Sequence, residues 1–264
     1  IIRMDNPDDA DDGEYFFAGH DKGAIDTWVT TEMTYDSIRR VSREWRVGGT
    51  GIIGNIRLAV DTARLALPLD YYDHYLLMVD QDGDSDFTTG TVRMLKMEER
   101  FGEFARISGL SLSEGDVFTI GIARNITVQS GDWDDPSTWL LGVPEDDANA
   151  VILPTHTVQL TQDEGIGYLS VSPGGTLQLQ TYTLSVTGDG IDNAGTFDPG
   201  TGTVNYISSA DQCISPLTYY NLSVSGSGVK TLCGDITVMN DLEVLGFASS
   251  LYLDADAVQN YTIR

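Results

Sequence analysis

Alternating apolar and polar residues recur in short runs along the whole chain, and helical periodicity is nearly absent. In the first half, Gly, Asn, Asp and Ser separate the runs, as expected for strands joined by turns. The predicted strands there lie at residues 14–18, 38–47, 55–60, 75–79, 91–97, 103–107 and 117–122. Short strands at this density predict an antiparallel β-sandwich over residues 1–124.

The second half has shorter runs and a repeating phrase. The runs lie at residues 151–160, 168–171, 176–186, 203–207, 220–224, 236–238, 241–244 and 250–253. The phrases NLSV and DLEV place Leu222 and Leu242 20 residues apart. Degenerate repeats of this length predict stacked coils, each burying its apolar face on its neighbours. Residues 125–264 are therefore expected to form a β-solenoid, with a second β-sandwich as the alternative, and the chain is all-β in either case.

The charge of the chain excludes some classes of binding partner. Its formal net charge is −25, and only Lys230 and Arg264 are basic after residue 124. A field of this sign repels phosphate backbones, so we expect no nucleic-acid partner. No run approaches the ~20 apolar residues of a membrane-spanning helix, and we expect no membrane insertion. The change in basic content supports a domain boundary near residue 125.

The sharpest chemical motif is an Asp-rich segment that follows the predicted strand at residues 75–79. Asp80, Asp82, Asp84 and Asp86 alternate with other residues, and Gly83 permits a tight turn among them. Carboxylates that converge in this way suit calcium, which takes six to eight oxygen ligands. The spacing is not that of an EF-hand, because glycine is the fourth residue and Thr91 is the twelfth. The sequence predicts a calcium site here, and the alternative is a solvated acidic turn.

Tryptophans and cysteines suggest further roles in the second half. Trp133 and Trp139 suit either an aromatic platform for sugars or, as we favour, a cap over the open end of the solenoid. Cys213 and Cys233 are 20 residues apart and form either a disulfide or two small core positions. No further ligand type clusters with them, which argues against a zinc site.

The segments around the tryptophans resemble a known module. GDWDDPSTW at residues 131–139, GVP at 142–144 and AVILP at 150–154 are similar to the opening of right-handed β-helical modules in large surface proteins and adhesins of type IX-secreting bacteria. Residues 175–177, 182–186, 193–197, 200–204 and 219–224 continue the likeness, which covers about residues 130–260. Residues 19–21, 42–47 and 77–87 resemble a domain of the same proteins. The resemblance implies export and cell-surface attachment and no catalytic residues; the two cysteines depart from it.

These observations predict a secreted, non-catalytic structural protein, a subunit or repeat unit of a cell-surface fibre or sheath that calcium stabilises. Open strand edges favour self-association into a homopolymer or binding to neighbouring surface-protein domains, with residues 257–263 as a candidate joint. The alternative is a calcium-dependent adhesin that binds glycans or a host surface. A more remote alternative is a polysaccharide-active β-helix enzyme, although no nucleophile motif is present.

Overall fold

The structure of the protein, a computed structural model, describes residues 2–5, 14–33, 38–50, 54–65, 74–100, 104–245 and 251–252. The fold is all-β, as predicted, with antiparallel sheets in the first half and a parallel solenoid of about five turns in the second. The chain divides into two compact units, Ile1–Arg124 and Asn125–Arg264. The candidate joint at residues 257–263 lies outside the described residues.

The first unit contains eleven described strands and a 3₁₀ turn at Thr62–Arg64. The strands are β1 (Ile2–Asp5), β2 (Tyr15–His20), β3 (Trp28–Val29), β4 (Ile38–Val41), β5 (Trp45–Thr50), β6 (Ile56–Asp61), β7 (His74–Asp80), β8 (Val92–Lys96), β9 (Glu98–Arg100), β10 (Phe104–Leu110) and β11 (Val117–Ala123).

Two antiparallel sheets form a β-sandwich in this unit. One has the order β1-β6-β10-β9, and the other has the order β2-β5-β11-β4-β3, with β7 pairing β11 and β8. The core lies where alternate residues of both sheets face each other. Leu58 of β6, Trp45 of β5 and Phe118 of β11 belong to it, and the Trp45 and Phe118 rings stack 5.7 Å apart. Trp45 is therefore a core residue.

The run at residues 38–47 forms two strands instead of the single predicted one. The break comes because its middle pairs with a preceding loop: Ser42 N–H donates to Thr27 O and Arg43 N–H donates to Ala24 O. The Ser42 hydroxyl also accepts from Ala24 N–H at 2.9 Å. These long-range bonds are invisible in the local pattern. The short strands β1, β3 and β9 were not predicted either.

The second unit contains the remaining strands and a 3₁₀ turn at Pro136–Thr138. They are β12 (Asn125–Ile126), β13 (Gly131–Asp132), β14 (Asn149–Ile152), β15 (Thr157–Gln159), β16 (Glu164–Val171), β17 (Thr176–Gln178), β18 (Thr183–Asn193), β19 (Thr196–Asp198), β20 (Thr203–Tyr206), β21 (Gln212–Ile214), β22 (Thr218–Val224), β23 (Lys230–Leu232), β24 (Thr237–Val244) and β25 (Leu251–Tyr252).

Parallel pairing stacks these strands as rungs. The longest sheet has the order β12-β14-β16-β18-β20-β22-β24, and shorter sheets join β13-β15-β17-β19 and β21-β23-β25. In-register residues form an inward-facing apolar ladder: Leu184 pairs with Val204, Val204 with Leu222, and Leu222 with Leu242. The steps of this ladder are 20, 18 and 20 residues along the chain. This near-constant step is the repeat seen in the sequence.

Corners interrupt two of the predicted runs. The runs at residues 151–160 and 176–186 each form two strands, because the coil turns at Thr155 and Gln180. Both residues have positive φ, 68° and 57°. Residues other than glycine rarely adopt this conformation, so composition alone does not mark these corners.

A buried hydrogen-bond chain links two tyrosines inside the solenoid. Ser215 N–H donates to the Tyr206 hydroxyl at 3.1 Å, and the Tyr219 hydroxyl donates to Ser215 O at 2.6 Å. The two hydroxyls are 2.9 Å apart, so Tyr206 supplies the proton between them. Burial raises the pKa of both hydroxyls and keeps them neutral. The chain satisfies polar groups that the apolar ladder otherwise isolates.

Cys213 and Cys233 form a disulfide between adjacent coils, with their Cα atoms 5.7 Å apart. Replacing both with serine is expected to lower the free energy of unfolding of the solenoid by about 3 kcal/mol, because the cross-link restricts the unfolded chain. Calorimetry of the double variant, and of the wild type with and without reductant, measures the loss. A double variant as stable as the oxidised wild type would contradict a stabilising role for the bond.

Candidate functional site: the Asp-rich loop

The Asp-rich loop (residues 80–91) connects β7 to β8 at the edge of the larger sheet. Asp80 is the last residue of β7 and pairs with Val92, the first residue of β8. Gln81 N–H donates to Thr91 O at 3.0 Å and closes the base of the loop. The loop is therefore held at both ends by the sheet.

Asp80 organises the turn from a buried position. Its side chain has no solvent exposure. Oδ1 accepts the amides of Asp82 and Gly83, each at 3.1 Å, and Oδ2 accepts the amide of Ser85 at 2.8 Å. A carboxylate that receives three backbone N–H groups is a fixed part of the turn, whatever else it binds.

The structure brings three of the four predicted ligands together. One carboxylate oxygen each from Asp80, Asp82 and Asp84 lies within 4.8 Å of the others. Asp82 and Asp84 are exposed. The result is a pocket of negative charge that is anchored on one side and open to solvent on the other.

The electrostatics of the cluster reflect this crowding. Hydrogen bonding to Asp80 raises the pKa of the Asp82 carboxyl, together with loss of hydration beside the loop and repulsion from Asp80 and Asp84. Burial acts to raise the pKa of Asp80, but the hydrogen bonds from Asp82 and from the amides of Ser85, Gly83 and Asp82 outweigh it and lower the pKa overall. Asp80 thus holds the negative charge more firmly than Asp82 does.

Asp86, the fourth predicted ligand, is not part of this group. Its Oδ1 accepts the amide of Thr88 at 2.8 Å and the hydroxyl of the same residue at 2.5 Å. The hydroxyl and amide of Thr88 lower the pKa of the Asp86 carboxyl. Asp86 closes a local turn beside the cluster.

Further contacts fix the loop on the sandwich. Phe87 is fully buried, and the Arg40 guanidinium lies 5.3 Å from the centre of its ring. Arg46 donates to Gly83 O at 2.6 Å and to Gly115 O at 3.0 Å. Gly83 has φ +72°, and a Cβ there would lie 2.7 Å from Gly115 O, so this position requires glycine. The sequence motif alone predicts neither the contact of Phe87 with Arg40 nor the hydrogen bond of Arg46 to Gly83.

One comparison with known proteins gave a match. Residues 2–116 match a family model described as a domain of unknown function, DUF8202. The match covers less than half of the chain; it includes the whole Asp-rich loop and none of the solenoid. No curated protein and no solved structure matches the chain.

The two tryptophans of the solenoid do not form a surface platform. Trp133 is fully buried and Trp139 is 3% exposed. Their rings meet edge to face at 5.1 Å, and Trp139 Nε1 donates to Trp133 O at 2.8 Å. Asp135, just ahead of Pro136, accepts the Ser137 amide at 2.8 Å and caps the intervening 3₁₀ turn. Both rings therefore belong to the first rungs of the core and are closed to sugars.

Two charged side chains of the solenoid, Lys230 and Glu164, have environments that the sequence did not predict. Lys230 is fully buried, and its Nζ donates to Ser208 O at 2.7 Å and to Gly228 O at 3.2 Å. Burial lowers the pKa of Lys230, although Asp211 partly opposes the change. Burial, with nearby acids, raises the pKa of Glu164.

In the described residues no helix is long and apolar enough to cross a membrane.

Proposed function

We propose that the protein is a non-catalytic, calcium-stabilised structural component of an extracellular fibre or sheath, built by stacking solenoid rungs from successive copies. The observation that carries this proposal is that apolar side chains are exposed on β24, the last described rung of the longest solenoid sheet. The likeness to surface proteins of type IX-secreting bacteria supports the same function.

The apolar ladder ends on β24 without a covering rung among the described residues. Leu242 and Val244 pair in register with Leu222 and Val224, which are buried. Yet Leu242 is 36% exposed and Val244 is 48% exposed. These two side chains occupy core positions of a solenoid, and no described strand pairs with the outer edge of β24. Apolar ladder side chains that are exposed at an end rung favour the addition of another strand.

A strand of the next copy is the partner that this proposal assigns to β24. It would extend the backbone ladder of the longest sheet and cover the exposed ladder positions. Each joint would be heterologous, since β24 meets a different surface of the neighbour, and heterologous contacts that do not close form filaments.

The Asp-rich loop is the calcium site that this function requires. The carboxylates of Asp80, Asp82 and Asp84 converge, and a divalent cation would relieve the repulsion among them. Because Asp80 is held by three amides, the cation would join a preformed turn to the sheet edge. Millimolar calcium is common outside cells, where such loops use it for stability.

The disulfide supports an extracellular location. Cys213 and Cys233 are joined, and such bonds form and persist mainly in oxidising compartments. The strongly negative net charge also suits a surface protein in water that is rich in divalent cations.

Substitutions on β24 test the joint. Leu242→Asp places a charge in the ladder and is expected to abolish sedimentable assemblies formed by the wild type in calcium. Met239→Asp is the matched control, because Met239 is 54% exposed on the same strand but outside the paired ladder positions. Sedimentation with calorimetry of the unassembled chains separates loss of assembly from loss of folding. Equal assembly by the Leu242→Asp chain would overturn this joint.

A further inference from the structure

Two aromatic rings stand exposed on the outer face of β2. Tyr15 is 55% exposed and Phe17 is 54% exposed, and their rings stack with centroids 6.1 Å apart and planes 18° apart. Phe16 and Ala18 pack against the core, so the alternation of the strand turns Tyr15, Phe17 and Gly19 outward together. We call Tyr15 and Phe17 the aromatic platform.

The neighbouring strand is shaped to receive the Phe17 ring. Phe17 pairs with Gly48 of β5. A Cβ at residue 48 would lie 2.5 Å from Cζ of Phe17, so any larger residue would displace the ring. The glycine thus seats Phe17 over the sheet in a defined place, which lowers the entropy lost when a ligand binds the ring.

The platform continues along β2 into a groove. Gly19 follows Phe17 by two residues on the same face, about 7 Å further along the strand. No heavy atom lies within 4 Å of the Cβ position of Gly19, so the space above it is open. The groove has a volume of about 270 Å³, and its lining includes Gly19, His20, Asp21, Glu44 and Arg46.

Polar groups in the groove are held in place by backbone contacts. Lys22 N–H donates to His20 Nδ1 at 3.0 Å, so in the neutral ring Nε2 carries the proton and is a donor. Asp21 Oδ1 accepts the amides of Gly23 at 2.8 Å and of Glu44 at 3.2 Å, which fixes an acceptor at the groove. The charge of Arg46 is already committed to two backbone carbonyls.

This combination selects a class of ligand. Ring faces attract the C–H faces of a sugar, and fixed donors and acceptors beside them suit its hydroxyl groups. Acidic glycans are disfavoured, since the groove carries Asp21 and Glu44 and the chain has a net charge of −25. The same charge opposes a second copy on this face. We propose that the aromatic platform and the adjoining groove bind a neutral saccharide chain, with one part stacked on the rings and the next in the groove.

The saccharide site does not depend on rung stacking, because the site and β24 belong to different units. Affinity electrophoresis of the Leu242→Asp chain therefore tests it without assembly. The gels contain hydroxyethylcellulose, laminarin, mannan or arabinoxylan, and alginate serves as the acidic comparison. We expect retardation by at least one neutral polysaccharide and none by alginate. Retardation by none of the four, or by alginate alone, overturns the proposal.

Three variants separate ring stacking from general apolar contact. Phe17→Leu keeps an apolar side chain but removes the ring and is expected to weaken binding about tenfold. Phe17→Trp is expected to retain it. Gly19→Leu fills the open space of the groove and is expected to abolish binding while the melting temperature stays unchanged. Undiminished binding by Phe17→Leu overturns the proposal. A dimer in light scattering that Phe17→Leu dissociates also overturns it, in favour of a contact between copies.

Discussion

Trp133→Ala is expected to lower the free energy of unfolding of the solenoid by about 4 kcal/mol, because truncating a large buried aromatic ring leaves a cavity. Trp133 is fully buried, packs edge to face on Trp139 and lies beside the first rungs. Solenoid stability is transmitted between neighbouring rungs, so damage at one rung weakens the next. Calorimetry is the suitable measurement, since the two units can show separate transitions.

Trp133→Phe is the matched control for this loss. Within the described part of the chain, Trp133 Nε1 has no hydrogen-bond acceptor. Phenylalanine removes that buried donor, which is stabilising, but its smaller ring fills less of the core, which is destabilising. Because these two effects oppose each other, the free energy of unfolding is expected to change by no more than about 1.5 kcal/mol. An alanine variant that loses less than the phenylalanine variant would contradict a core role for this ring.

Asp80→Ala is expected to destabilise the sandwich by about 3 kcal/mol even in chelator, because three partly buried backbone amides lose their acceptor. This loss belongs to the turn itself and needs no cation. Thermal unfolding of the variant in chelator, followed by circular dichroism, measures it. A variant as stable as the wild type would contradict the anchoring role of Asp80.

Asp84→Ala isolates the calcium contribution. Asp84 is exposed; its Oδ1 accepts the amide of Asp86 at 2.8 Å, but removing its charge also relieves repulsion in the carboxylate cluster, so its loss is expected to change stability by less than about 0.5 kcal/mol in chelator. In saturating calcium the wild type is expected to gain about 2.7 kcal/mol at one hundred times Kd, and the variant to gain much less. A wild-type melting temperature that does not move between chelator and millimolar calcium would contradict the calcium site.

The fold class could be read from the sequence because its two signals are local. Alternation of side chains marks a strand that is buried on one face, and the 20-residue spacing of Leu222 and Leu242 marks a coil whose strands lie in register. Both signals follow from the geometry of one strand and its neighbour. Neither signal shows where a run bends, as the chain does at Thr155 and Gln180.

The candidate site was predicted less completely. The spacing of the four aspartates predicts that their carboxylates can converge, but it does not distinguish the role of one aspartate from that of another. Their different roles arise from long-range structure: Asp80 ends a strand that is paired on both sides, while Asp86 faces Thr88 in a local turn. Two arginines illustrate the same limit. The local sequence does not show that Arg40 pairs with Glu44 or that Arg46 donates to the backbone of the Asp-rich loop.

The aromatic platform was missed for a related reason. The run at residues 14–18 predicts a strand, but four of its residues are apolar or aromatic and do not alternate with polar ones. Only the pairing of β2 with β5 decides that Phe16 faces the core and Phe17 faces solvent. The exposed ring is recognisable once its glycine neighbour across the strand is known.

Negative-stain electron microscopy of the 264-residue chain in calcium tests the central proposal most directly. Rung stacking between copies predicts filaments with a regular axial repeat, which the Leu242→Asp chain does not form. Isolated particles of wild-type protein under the same conditions, with the disulfide intact and calcium in excess, would contradict a structural polymer.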